Sequence, residues 1–82
     1  MKSVLYVRTA ATALRRHANR AKLIRTKIRQ YADDASSQAN NVKPLIGINA
    51  KRLRVGDFRV IFTETTDAII ILDIGPRGAI YE

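Results

Sequence analysis

The sequence predicts an α+β domain of two layers, a helical hairpin packed on a mainly antiparallel four-stranded sheet in the order β-α-α-β-β-β. Three observations lead there. The 82 residues suffice for one modest core and not for a second, so residues 1–82 are read as a single domain. Apolar residues recur at spacings of three and four up to Tyr31, and at a spacing of two from Lys51 onward. Helices grouped early, with strands following as a meander, bury their apolar sides most simply as one helical layer on one sheet face.

The elements follow in order. Residues 3–8 (SVLYVR) are β-branched and aromatic and read as the first strand. Thr9 is placed to cap a helix. Ala11, Leu14, Ala18 and Ala21 then form one apolar stripe, and Leu23, Ile24, Ile28 and Tyr31 a second, with basic residues on the other side. His17-Ala18-Asn19 reads as the turn between two helices, one long helix being the alternative. His17 is expected on the exposed hairpin, without a chemical role. Residues 33–41 (DDASSQANN) are polar and end the helical part, and Pro44 and Gly47 mark a further loop.

Beyond Lys51 the chain alternates. Leu53 and Val55 face one way, Arg52 and Arg54 the other. Gly56-Asp57 suits a type II′ hairpin turn, with glycine supplying the positive φ. Phe58, Val60 and Phe62 then share one side, and Arg59, Ile61 and Thr63 the opposite one. Residues 65–67 form another turn. Residues 68–74 (AIIILDI) are almost wholly apolar, which predicts a central strand buried on both faces. Residues 75–78 (GPRG) are expected to break the ladder, leaving a short tail.

Composition excludes several chemistries. With no cysteine there is no disulfide, thiolate metal site or thiol nucleophile, and one histidine cannot build a histidine metal cluster. No apolar run reaches the roughly 18 residues that span a bilayer, and the opening MKSVLYVR does not resemble a signal peptide, so a cytoplasmic protein without membrane contact is expected. The net charge of +8 is concentrated at the front. Residues 1–29 carry nine basic side chains and no acidic one, whereas the remainder is nearly balanced. Such a field accelerates encounter with nucleic acid, an anionic surface or an acidic protein, without choosing among them.

The hairpin at residues 52–62 (RLRVGDFRVIF) poses the sharper question, because strands that must pack rarely carry so many guanidinium groups. Arg54 and Arg59 either pair with Asp57, Asp73 or Glu64, or form one side of a phosphate cradle. Guanidinium forks suit phosphate oxygens and remain charged, so they stabilise negative charge but cannot act as bases.

These segments resemble the RelE/ParE superfamily of bacterial type II toxins, and most closely its RelE-like branch. The resemblance rests on the basic hairpin at residues 14–34 (LRRHANRAKLIRTKIRQYADD), on VKPLIG, and on R-x-R-V-G-D-[FY]-R-V-I-F followed one strand later by I-G-x-R-x-x-x-Y. It implies a ribosome-dependent endoribonuclease that cleaves mRNA in the A site by attack of the substrate's 2′-hydroxyl, without metal or other cofactor. Matched position by position, the catalytic residues would be Arg54, Arg59, Arg77 and Tyr81. Arg52, Lys51, Arg15, Arg16, Arg20 and Lys22 would bind substrate, although alternation turns Lys51 to the core side. The implied partners are a cognate antitoxin protein, the ribosome with its mRNA, and operator DNA through the antitoxin complex alone. A ParE-like inhibitor of DNA gyrase and a catalytically silent homologue acting in a repressor complex share this resemblance and stand as alternatives.

Overall fold

The computed structural model describes residues 2–78. Its first strand, β1 (Ser3–Tyr6), leads into helix α1 (Arg8–Arg16) and, after a break at His17, helix α2 (Ala18–Asp33). A 3₁₀ segment (Ala35–Asn41) and a three-residue strand β2 (Val42–Pro44) follow. The chain ends as a meander of β3 (Lys51–Val55), β4 (Phe58–Glu64) and β5 (Ala68–Pro76).

The sheet has five strands in the order β1-β5-β4-β3-β2, with β1 parallel to β5 and every other pair antiparallel. The expected four strands are therefore one short. Val42–Pro44, too brief to show a period, pairs with Lys51–Leu53 and becomes an edge strand, where Pro44 is tolerated.

Both helices pack on one sheet face. Ala10, Ala13, Leu14, Ala21, Ile24, Ile28 and Tyr31 meet Leu53, Val55, Val60, Phe62, Ile69, Ile71 and Ile74 in one core. The predicted stripe is shifted: Ala18 and Leu23 are exposed, because the break at His17 rotates α2 relative to α1. Thr9 lies inside α1 rather than capping it, since the non-helical N-cap residue is Val7. His17 is half-buried and sets its ring edge-on against Phe58, with centroids 4.9 Å apart. That contact draws the helix break towards the β3–β4 turn.

The other sheet face holds a smaller apolar cluster, where Leu45 and Ala50 of the β2–β3 loop cover Ile61 beside Leu72. Leu72 is the extra residue of a bulge, for Phe62 pairs with Ile71 and Ile61 with Asp73. The bulge resets the alternation and allows Ile71 and Ile74, three apart, both to enter the main core. β5 is consequently not buried on both faces; Ile70 and Leu72 remain half-exposed.

Two turn expectations fare differently. Gly56 has φ of +58° and Asp57 does not enter the left-handed region, as a type II′ turn requires. Gly75 and Pro76, by contrast, do not break the ladder, and pair with Arg59 and Phe58. The Arg77 N–H donates to the Asp57 carbonyl at 2.6 Å, so alternation turns the Pro76 nitrogen away from β4, to the side where β1 has already ended. Its missing N–H therefore costs no ladder bond.

Candidate nucleic-acid interface

Strand alternation places three guanidinium-bearing residues on the sheet face opposite the helices. Leu53 and Val55 enter the core, so Arg52 and Arg54 face away from it. Arg54 lies directly across from Arg59, and Arg52 across from Ile61. Like charges directly opposed on a ladder are destabilising. The pair concentrates positive charge on this face of the sheet.

The three are held differently. Arg59 is buried and donates from one Nη1 to the carbonyls of Gly56 and Phe58, both at 3.1 Å, which fixes its guanidinium at the turn. Its neighbour on β5 is Gly75, which brings no side chain to crowd it. Arg54 is exposed and donates to Asn41 Oδ1 at 3.2 Å. Asn41 in turn donates to Gln38 Oε1 at 3.1 Å, and the buried Gln38 donates to Gln30 Oε1 at 3.0 Å. A line of amides thus runs from α2 through the 3₁₀ segment to Arg54. Arg52 is half-buried.

Arg77 follows β5 immediately and is exposed, its backbone tied to the β3–β4 turn rather than released by a broken ladder. Tyr81 lies outside the described residues.

Lys51 faces the helices. Its Nζ donates to Glu64 Oε1 at 2.7 Å, while Lys2 Nζ reaches Glu64 Oε2 at 2.6 Å and the Tyr31 hydroxyl donates to Oε1 at 2.5 Å. Burial alone would raise the Glu64 carboxyl, but donors from Lys2, Lys51 and Tyr31, with the charge of Lys51, outweigh it and bring the pKa down to about 2. Burial, then the hydrogen bond to Glu64 and its charge, raise the Tyr31 phenol well above its ordinary value. This four-residue cluster joins β1's entry, α2, β3 and β4. Sequence reading missed it, having considered Glu64 as a partner for Arg54 or Arg59; the parity of Lys51 and Glu64 with the core residues was the available signal.

The helical cations lie in the other layer. Arg20 lines a small hollow of 170 Å³ with Leu23, Val55, Gly56 and Phe58, next to the β3–β4 turn. Arg15 and Arg25 border a larger hollow of 410 Å³. Arg16 and Lys22 are exposed on the outer surface of the hairpin. The sheet thus separates Arg15, Arg16, Lys22 and Lys51 from Arg52, Arg54 and Arg59, with Arg20 near the turn where both layers end. No helix among the described residues is long and apolar enough to cross a membrane.

Comparison with solved structures places the architecture. A chain of the archaeal RelE–RelB complex from Pyrococcus horikoshii superposes with a TM-score of 0.76 at 22% identity, covering 96% of this chain and 98% of that one. A chain of the E. coli DinJ–YafQ toxin–antitoxin complex gives 0.76 at 12% identity, covering 99% and 98%. YafQ from E. coli alone gives 0.65 at 16% identity, over the full length of both chains. No family model matches the sequence, and no curated protein matches it significantly. The fold is therefore that of the RelE- and YafQ-type toxins, as the hairpin and tail motifs led one to expect.

Proposed function

We propose that the protein is the toxin of a type II toxin–antitoxin pair and that it acts as an endoribonuclease on mRNA in the ribosomal A site. The observation that carries this reading is the cross-strand pair Arg54 and Arg59, with Arg52 beside it, on the sheet face that the helices leave open.

In this reading the mRNA backbone lies across β3 and β4. The substrate's 2′-oxygen bonds to the adjacent phosphorus as the bond to the 5′-oxygen breaks, leaving a 2′,3′-cyclic phosphate and a 5′-hydroxyl. Negative charge grows on the nonbridging and leaving oxygens. Arg59, pinned at the turn, supplies a preorganised positive charge, and preorganisation is what makes such groups effective. Arg54 and Arg77, both exposed, supply donors that can follow the phosphate. Tyr81 is the candidate to stack a splayed base and to move the proton that leaves the 2′-hydroxyl. The acid-free helical hairpin, with Arg15, Arg16, Arg20 and Lys22, grips ribosomal RNA and receives an acidic antitoxin.

The decisive experiment adds the protein to translating ribosomes on a defined mRNA and maps breaks by primer extension. A-site cleavage that Arg54→Ala and Arg77→Ala each slow by about a hundredfold or more supports the proposal. Intact mRNA overturns it; inhibited supercoiling by gyrase in the same preparation would then point to the gyrase reading, and no effect in either assay to a silent repressor subunit.

A further inference from the structure

We propose that a hollow on the outer surface of α2 takes a backbone phosphate of RNA, and that this phosphate sets Arg54 through the line of amides that joins the two layers. The inference rests on the proposed function for what Arg54 does, and adds to it a separate binding site and a coupling.

The hollow is built from one stripe of α2. Lys22, Arg25, Thr26, Arg29 and Gln30, at helical spacings of three and four, border a volume of 360 Å³. Lys22 and Arg25 are exposed and form no ion pair among the described residues. Arg29 is partly engaged, donating to the Lys2 carbonyl at 3.1 Å and lying 3.6 Å from an Asp33 carboxylate oxygen. Two cations are therefore left to draw an anion in.

Behind the hollow the hydrogen bonds all run one way. Arg54 donates to Asn41 Oδ1, Asn41 Nδ2 to Gln38 Oε1, and Gln38 Nε2 to Gln30 Oε1. Gln30 Nε2 remains, donating to no group among the described residues. The chain thus starts at a cation and ends on an open N–H of a side chain that lines the hollow. Aligned amides polarise one another, so an acceptor at the far end strengthens each bond behind it.

Such a chain has two orders. A carboxamide keeps its outline when a half-turn exchanges its oxygen and nitrogen. If Gln30, Gln38 and Asn41 all turn over, their mutual bonds form again in reverse, and Asn41 presents N–H to Arg54. Two donors then meet, and Arg54 loses its acceptor. The observed order suits Arg54. Cations beside Gln30 pull towards the reverse order, because they attract its oxygen. A phosphate among them cancels that pull and accepts from Nε2, so phosphate binding and an ordered Arg54 favour each other. The 3₁₀ segment does not yield instead, because it is fastened to the end of α2. Asp34 N–H donates to the Gln30 carbonyl at 2.9 Å, and the Ser37 hydroxyl to the Asp34 carbonyl at 2.7 Å.

Phosphate is the anion that fits this set of donors. Its several oxygens accept from ammonium, guanidinium and amide groups at once. The hollow lies in the helical layer, whereas Arg54 faces the other side of the sheet, so the phosphate belongs to a different stretch of RNA from the one across β3 and β4. Arg54 is then ordered when α2 rests on RNA, which ties the sheet face to a bound ribosome.

The probe is a short RNA duplex methylated at every 2′-oxygen, which no 2′-hydroxyl attack can cut. It is titrated at 0.15 M salt into ¹⁵N-labelled protein, and the side-chain amide of Gln38 is read by NMR. Gln38 is buried, so a shift there reports the chain rather than direct contact. We expect a saturable shift at Gln38 and Asn41. Replacing Lys22 and Arg25 together by alanine, at exposed positions, is expected to weaken duplex binding at least fivefold and to abolish the Gln38 shift. Gln30→Glu keeps an acceptor for Gln38 but has no N–H to offer, and is expected to weaken binding similarly. No Gln38 shift at saturating duplex, a shift that survives the double substitution, or an equal shift with a Glu-rich peptide would each overturn the inference. Cleavage of mRNA is assayed separately, so a protein that shows the shift without cutting would sink the nuclease reading alone.

Discussion

Arg54 and Arg59 face each other across the β3–β4 ladder, two like charges where a stable sheet would place an apolar or oppositely charged pair. Removing Arg54 should therefore harm the function far more than the fold. Arg54→Ala relieves the like-charge pair but also removes the hydrogen bond to Asn41, so unfolding free energy is expected to change by less than about 1 kcal/mol. The substitution is expected to lower the rate of mRNA cleavage by about 10²–10³-fold, the usual loss when one preorganised donor is removed. Urea titration and single-turnover cleavage on ribosomes read the two effects separately.

The amides behind Arg54 offer a subtler test. Asn41→Ala removes the acceptor that orients the Arg54 guanidinium. Cleavage is expected to fall about tenfold, less than on removing Arg54 itself, because misplacement of a group costs part of its effect. Gln38→Ala removes a buried amide and leaves the half-buried Asn41 without its acceptor, and should cost about 0.5–1.5 kcal/mol for each of the two hydrogen bonds lost in unfolding experiments.

Acid sensitivity should trace to Glu64. Its carboxyl is lowered from 4.5 to about 2, so the folded state favours the ionised form. The associated stability is fully present above about pH 4.5 and is lost as pH falls towards 2. Linkage sets the ceiling at about 3 kcal/mol, and partial exposure trims it. In Glu64→Gln the fall in stability between pH 5 and pH 2.5 should shrink, measured by thermal unfolding at each pH. An unchanged acid limb would move the responsibility to other carboxyls.

The helical hairpin should dominate the salt response. Binding to ribosomal RNA is expected to weaken steeply with salt, and each phosphate that a side chain no longer neutralises should reduce the slope of log K against log salt by about 0.7–0.9. Replacing Arg16 and Lys22 by alanine should therefore flatten that slope, while leaving the cleavage site in the mRNA unchanged.

Gly56 tests the turn. Its φ of +58° is combined with open space around the position of a Cβ, so Gly56→Ala meets no atom and is charged for backbone conformation alone. The expected cost is about 1–3 kcal/mol, seen as a lower urea midpoint at constant slope.

The parts of the fold that the sequence disclosed are those with a long period. Sixteen residues of α2 and the paired runs around Gly56-Asp57 repeat their pattern often enough to be read. β2 was hidden because three residues carry no period, and because Pro44 argues against a strand unless its edge position is known. The ladder through Gly75 and Pro76 was hidden for a related reason: proline is harmless there because β1 stops short, a fact of the tertiary structure. For the candidate site, alternation foretold the common face of Arg52, Arg54 and Arg59. It could not foretell that Arg59 is fixed by carbonyls of its own turn, because alternation sets a side chain's face and not its rotamer, or that Asn41 holds Arg54, because that bond depends on where the 3₁₀ segment lies.

The unequal borders of the sheet have a consequence for self-association. A sheet able to accept a strand on both sides can propagate without limit, each molecule templating the next into a fibre. Here Lys43 and Pro44 obstruct one border, so growth initiated at the other has no second site from which to continue. A single addition would terminate the series, which is geometry unsuited to a filament.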